Sequence, residues 1–222
     1  GCTLRYGGGN YFPAELYIGG GSPTITGSAI SSSSSSGIYV SGNSPSITNN
    51  TVSGNQGSWG IYSSTTLAAL SGNSIIDNSN ATAVYLPATL GQGTVYNNTC
   101  SGNKLNGMFL YGSVTQNTTW TTAGSPYVLA GGVDVNSGVT LTIQQGVVVK
   151  PQYNTTTLYI AGVLNATGAV FTSFKDDSYG GDTNGDGNAT SPAPGDWASI
   201  YFGGNGGGGS LSGCTLRNGG SN

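Results

Sequence analysis

Short clusters of aliphatic residues alternate with runs of small polar ones, and the clusters recur along the chain. Four consecutive stretches align: SPTITGSAISSSSSSGIYV (22–40), SPSITNNTVSGNQGSWGIYS (44–63), LAALSGNSIIDNSNATAVYL (67–86) and GQGTVYNNTCSGNKLNGMFL (91–110). Ile25, Ile47, Leu70 and Val95 form one column, and Ile30, Val52, Ile75 and Cys100 a second, five residues on. Leu16, Ile38, Ile61, Val84 and Met108 form a third, with spacings of 22, 23, 23 and 24 residues. Gly, Ser and Asn, the residues of tight turns, lie between the columns. The I-Y-V and V-Y-L tripeptides alternate like strands, and no apolar spacing of 3.6 residues runs through them. The leucine spacing of a leucine-rich repeat is also absent. The pattern predicts an all-β solenoid with two or three short strands per coil. Each coil bonds to the next at ~4.8 Å, with about nine coils in all.

Two polar columns accompany the apolar ones. Asn50, Asn73 and Asn98 follow the first column by three residues, and Asn55, Asn78 and Asn103 follow the second by three. Asparagines stacked at bends can bond to one another and to turn backbone that a corner leaves unpaired. Regular coils fill residues 1–112. Residues 113–222 continue less regularly, with alternation at Val133, Val135, Val139, Leu141 and Ile143, and the pattern is weakest from Gln116 to Pro126. The whole chain reads as one solenoid with an insertion at 176–196.

These columns and asparagine ladders resemble those of parallel β-helix repeat proteins, the pectate-lyase-like architecture. The resemblance implies a right-handed solenoid over the whole chain, but fold alone does not confer activity. The stretch FTSFKDDSYGGDTNGDGNATSPAPGDW (171–197) resembles a segment common in secreted bacterial β-helix proteins. That resemblance implies an extracellular or cell-surface location.

A longer repeat spans the chain. GCTLRYGG at 1–8 returns as GCTLRNGG at 213–220, with seven of eight residues identical and an offset of 213 − 1 = 212. Residues 213–222 therefore read as the start of another unit of about 212 residues, joined covalently or by stacking. The chain opens at Gly1 in what reads as mid-coil, so we expect a segment of something longer.

Charged residues are only 6% of the chain, against roughly 25% in an ordinary domain. The five basic residues are scattered and the net charge is −3, which argues against nucleic acid as a partner, because phosphate neutralisation needs a basic patch. No apolar run approaches the length of a membrane span.

Against this background the acids of 176–196 stand out. Asp176, Asp177, Asp182, Asp186 and Asp196 are five of the eight in the chain. Asp182-x-Asn184-x-Asp186-Gly187 matches the first half of a calcium loop, with oxygen ligands at positions 1, 3 and 5 and glycine at the sharp turn. The Asn188 carbonyl would be position 7. Ala193 stands where a glutamate would close the site, so Asp196 or Asp177 would supply the missing carboxylate. The expected cofactor is a structural Ca²⁺; the alternative is a solvated acidic turn.

Tyr17, Tyr39, Tyr62, Tyr85 and Phe109 each follow the third aliphatic column by one, which places them on the outer face. They read either as a stack along the sheet or as a contact stripe for sugars or another protomer. Tyr159 and Tyr201 repeat the local pattern. Cys2, Cys100 and Cys214 read as free buried thiols, because Cys2 and Cys100 would lie about four coils apart. N-x-S/T acceptors occur at Asn49, Asn80, Asn97, Asn117, Asn154, Asn165 and Asn188.

Catalytic groups are scarce. The chain has no histidine, and residues 22–112 hold one acid, Asp77, and one base, Lys104. A hydrolase needs paired carboxylates. The expected role is a noncatalytic segment of an extracellular fibre, sheath or adhesin that self-associates along the solenoid axis. A carbohydrate-binding module with a polysaccharide partner is the alternative, and a lyase-like enzyme comes third.

Overall fold

The computed structural model describes residues 1–9, 11–91, 94–204 and 206–221. Gln92 and Gly93 of the fourth aligned stretch, and Asn222 of the terminal one, lie outside the described residues. Every secondary-structure element in the described residues is a strand, and every strand pair is parallel.

The repeat produces three faces in the first half. Thr24–Thr26, Ser46–Thr48, Ala69–Ser71 and Val95–Tyr96 stack as one face. Thr3–Arg5, Ala29–Ser31, Thr51–Ser53, Ser74–Ile76 and Thr99–Ser101 stack as the second. Ala14–Ile18, Ser36–Val40, Trp59–Ser63, Thr82–Pro87 and Leu105–Val114 begin the third. The register matches the predicted columns: Ile25 on Ile47 on Leu70, Ile30 on Val52 on Ile75 on Cys100, and Ile38 on Ile61 on Val84. Apart from Ile25 and Cys100, which are partly exposed, these residues are fully buried. A single side chain per three-residue strand, and two from most third-face strands, as with Ile38 and Val40 or Val84 and Leu86, fill the interior. Neighbours in a column are similar in shape, so each repeat presents much the same volume to the next.

The solenoid makes fewer turns than the nine coils expected, because the insertion spends residues without adding a coil: Phe171 stacks on Leu216, 45 residues later. The coils also change phase at a seam. Met108 stacks on Tyr127, only 19 residues later, and Gly112 stacks on Val133. The two long strands Leu105–Val114 and Tyr127–Val135 run around a corner of the solenoid, with a register shift between Leu110 and Gly112. Gly112 and Gly131 take left-handed φ of 73° and 133° at the bend, a region open to glycine at no steric cost. Beyond the bend, Leu129 stacks on Pro151 and Val135 on Ile160. A new face of Thr118–Trp120, Thr140–Ile143, Val163–Thr167 and Gly208–Ser212 also starts here. The solenoid therefore shifts by one face: the third face of the first half continues into the second-strand position of the second half.

Residues 121–126, the latter part of the Gln116–Pro126 stretch of weakest pattern, close off the two faces that end at this seam. The Thr121 hydroxyl donates to the Val95 carbonyl at 2.5 Å, and Asn98 N–H donates to the Ala123 carbonyl at 2.7 Å. Cys100 N–H donates to the Ser125 hydroxyl at 3.1 Å. Trp120 is fully buried and donates its indole N–H to the Ala88 carbonyl at 3.3 Å.

The asparagine columns are hydrogen-bonded ladders. Asn50 donates its amide to Asn73 Oδ1 at 3.1 Å, and Asn73 donates to Asn98 Oδ1 at 2.9 Å. Asn55, Asn78 and Asn103 repeat this at 2.9 and 2.8 Å. Each amide also donates to the carbonyl of the inward aliphatic residue one coil back, as Asn73 does to Ile47. The Oδ1 of each later asparagine accepts the preceding asparagine's backbone N–H as well. One buried side chain thereby satisfies donors and acceptors that a sharp corner strands.

The cysteines divide. Cys100 points its thiol inward toward the Gly107 carbonyl, and burial pushes its pKa up to about 11. Cys2 is exposed and Cys214 partly so, which corrects the expectation that all three thiols are buried: Cys2 lies in the outermost coil of the described structure.

Replacing Asn73 by Ala removes a rung and strands the Ile47 carbonyl, so stability should fall by roughly 2–4 kcal/mol in urea titrations. Ile61→Asp places an unpaired charge in a column and should abolish the folded far-UV spectrum at 25 °C. Iodoacetamide should label Cys2 rapidly at pH 8 and Cys100 only on unfolding, as mass spectrometry of quenched samples would read.

Candidate metal centre and aromatic ladder

The insertion leaves the solenoid after Thr172 and returns at Trp197. Asp196 closes its base: one carboxylate oxygen pairs with Lys175 Nζ at 2.7 Å, and the other accepts from the Ser173 hydroxyl at 2.6 Å and from Ala193 N–H at 2.8 Å. These donors hold its pKa below the ordinary carboxylate range against the opposing effect of burial. Asp176 is buried beside it, accepting from the Thr172 and Ser178 hydroxyls at 2.5 Å, with Arg217 at 3.8 Å. Trp197 donates its indole N–H to the Arg217 carbonyl at 2.8 Å. Both acids are committed to local partners, so Asp196 is not a candidate ligand: its carboxylate is spent on Lys175, Ser173 and Ala193.

The remaining three acids converge. Asp177, Asp182 and Asp186 each present an oxygen within 4.8 Å of the others. Asp182 orders the turn, accepting from the backbone N–H groups of Gly185 at 2.8 Å, Asp186 at 3.1 Å and Gly187 at 3.0 Å. Asn184 donates its amide to Asp186 Oδ2 at 2.8 Å and to Thr190 at 3.0 Å. Asn188 is exposed on the outer turn. Three side-chain oxygens, Asp177 Oδ1, Asn184 Oδ1 and Asp186 Oδ1, are shielded from solvent and accept no hydrogen bond within the described chain. Burial, and then the facing Asp182 and Asp186 carboxylates, raise the pKa of Asp177, with Lys150 acting in the opposite sense. A small chamber of oxygen ligands with excess negative charge suits a hard cation.

Contacts to both halves of the solenoid hold the loop in place. From the first half, Asn106 donates its backbone N–H to the Thr183 carbonyl and its amide to the Asp182 carbonyl, both at 2.8 Å. Asn106 Oδ1 in turn accepts from Asn103, the last rung of its ladder, at 3.0 Å. From the second half, the fully buried Lys150 donates its ammonium to the Gly181 carbonyl at 3.0 Å and the Thr183 hydroxyl at 2.7 Å. Burial lowers the Lys150 pKa to about 8 although Asp177, Asp176 and Asp182 pull it upward. Gly185 sits so close to the Lys104 carbonyl that an added Cβ would lie 2.1 Å from it. Sequence reasoning missed Lys150 and Asn106. A lysine ending an apolar strand in so uncharged a chain was the available signal for the first; nothing in the pattern marked the second.

The aromatic column forms a ladder with one member changed. Ring centroids lie 5.8 Å apart for Tyr17 and Tyr39, 4.4 Å for Tyr39 and Tyr62, and 6.1 Å for Tyr62 and Tyr85, with stacked planes. The next ring in the stack is Tyr111, 4.9 Å from Tyr85, rather than Phe109. Phe109 shares Tyr85's strand register but is buried against Phe174 of the insertion, at 5.9 Å and 84°. Covering by the loop removes Phe109 from any contact stripe. Trp59 flanks the stack at 4.7 Å from Tyr62. Ring faces are turned to one another, the Tyr111 hydroxyl donates to the Ser63 carbonyl at 3.3 Å, and burial with neighbouring phenols raises the pKa of Tyr39 and Tyr85. Because of the seam, Tyr159 and Tyr201 form a separate pair at 5.4 Å on the next face.

The family described as the right-handed β-helix region matches residues 14–169 of this chain. No curated protein and no solved structure matches it. The match covers well over half of the chain and coincides with the stacked coils, so the chain belongs to the right-handed β-helix family.

Proposed function

We propose that this chain is a noncatalytic structural repeat of an extracellular fibre, sheath or adhesin, stacking end to end and pinned at its seam by Ca²⁺. The observation that carries the reading is where the polar side chains are spent. Asparagine ladders, hydroxyls and stacked phenols satisfy one another along the axis. The one convergent group of acids among the described residues bridges the two halves of the solenoid. Asp177, Asp182, Asn184 and Asp186 would hold the ion, with water or backbone carbonyls completing its shell. The ion would neutralise carboxylates that otherwise repel and would give the three orphan oxygens a partner. A carbohydrate-binding platform is disfavoured, since a sugar ring packs against an aromatic face and these faces are already stacked.

Calcium at 1 mM should raise the melting temperature by about 5 °C or more relative to chelator, through preferential binding to the folded state. Asp177→Asn together with Asp186→Asn should remove that increment while leaving the far-UV spectrum intact. Hydrogen exchange should show 176–196 loosening on chelation, with the asparagine ladders still protected. Equal stability with and without calcium would overturn the metal assignment. Electron microscopy of the concentrated chain should show rods rather than isolated particles.

A further inference from the structure

The tyrosine stack puts oxidisable rings in close contact within the interior coils. Tyr39, Tyr62 and Tyr85 each have a coil paired on both sides. Tyr39 and Tyr62 are direct register partners, so their side chains project from matching points on strands ~4.8 Å apart. Their ring centroids lie 4.4 Å apart with planes 27° from parallel, the shortest gap in the ladder. Trp59 packs against both, at 4.7 Å from Tyr62 and 6.0 Å from Tyr39, and holds the two rings together. Tyr39 and Tyr62 are both partly exposed. A dissolved oxidant can therefore reach them, and water can take up their protons.

A phenol gives up one electron far more readily than a phenyl ring. It loses its hydroxyl proton as it does so, and the phenoxyl radical carries spin on the carbons ortho to the oxygen. Two such radicals held in contact combine before either reacts elsewhere.

We propose that Tyr39 and Tyr62 form a site of oxidative modification, at which an ortho–ortho carbon bond joins the two phenols. The oxidant is hydrogen peroxide, spent in one-electron steps by a haem peroxidase. Each phenol gives up one electron and one proton, and the two of each reduce one peroxide to two waters. The two radicals form the new C–C bond, and each joined carbon then passes its hydrogen to its own oxygen, restoring both aromatic rings. The product is a biphenol with two hydrogens fewer than the starting pair.

The other rungs suit this chemistry less well. Tyr62 and Tyr85 are 6.1 Å apart, and Tyr17 and Tyr39 are 5.8 Å apart. Tyr85 and Tyr111 approach to 4.9 Å, but the Tyr111 hydroxyl is tied to the Ser63 carbonyl. Burial also raises the Tyr111 pKa, so its proton leaves reluctantly. A bond between Tyr39 and Tyr62 closes a loop of 62 − 39 = 23 residues and staples two adjacent coils. Such a cross-link restricts the unfolded chain more than the folded one and so stabilises the fold. Neither the calcium site nor assembly enters this chemistry, so the inference stands or falls apart from the reading above.

The test treats the full chain, at micromolar concentration and with calcium present, with a haem peroxidase and limiting peroxide. A photo-oxidised ruthenium complex serves in parallel as a small diffusible oxidant. Dityrosine fluorescence should appear in the monomer fraction, the intact mass should fall by two hydrogens, and elastase fragments should link Tyr39 to Tyr62. The oxidised monomer should melt at a higher temperature than the untreated chain. Tyr62→Phe keeps the ring without its hydroxyl and should abolish the linked fragment, whereas Tyr85→Phe should retain it. No link with either oxidant, a monomer joined chiefly at another pair, or an undiminished yield in Tyr62→Phe would sink the proposal.

Discussion

The structure depends on one constraint: in a solenoid of three-residue strands, every corner breaks the backbone ladder, and the interrupted groups must find partners in the coil above or below. Ordinary sheets satisfy their backbone with long strands. Here most strands of the first half are three residues long, so corners are as numerous as strands. A buried asparagine at two of the corners solves the problem, because its amide donates to a carbonyl one coil back while its oxygen accepts the N–H of the asparagine in that same preceding coil. Asparagine stacked on asparagine is self-complementary, and the repeat can continue indefinitely. Coil length can vary by a residue or two without breaking the ladder, since the slack is taken up in exposed turns.

The same constraint explains the seam. A ladder that stops leaves an unsatisfied rung, and each stops against something specific. The Asn98 rung meets the Ala123 carbonyl in the closing turn 121–126. The Asn103 rung meets Asn106, whose amide is fixed by the Asp182 carbonyl. The acidic insertion is thus the terminus of a structural ladder as well as a cluster of carboxylates. Its position over the seam also accounts for the buried Lys150, whose ammonium replaces lost hydration with the Gly181 carbonyl and the Thr183 hydroxyl. Placing a cation among Asp177, Asp182, Asn184 and Asp186 would tie loop order to the junction between the two halves.

The architecture concentrates repetition on the axis and variation on the outside. Aliphatic columns, asparagine ladders and stacked tyrosines all run parallel to it, and each is made of contacts between residues 19 to 28 apart in sequence, save where the insertion intervenes. Each coil touches chiefly its neighbours, so local changes in stability propagate along the axis rather than through a common core.

The first-half columns were legible in the sequence because the inward residues of each strand recur in type with the coil. Ile30, Val52 and Ile75, or Asn50, Asn73 and Asn98, announce their stacking by spacing alone. The Asp182-Asn184-Asp186 cluster was legible for a similar reason: its ligand spacing is local. Spacing could not show that Asp196 turns to Lys175 and Ser173, because that choice depends on where the two ends of the insertion meet. Nor could it show that Phe109 lies under Phe174, that Tyr111 takes its place in the stack, or that the coil between Met108 and Tyr127 is short enough to turn the solenoid by one face. Periodicity determines which residues share a column, whereas the placement of an insertion and the phase between two periodic halves are decided by contacts between segments as distant in sequence as Asn106 and Thr183, which no local pattern encodes.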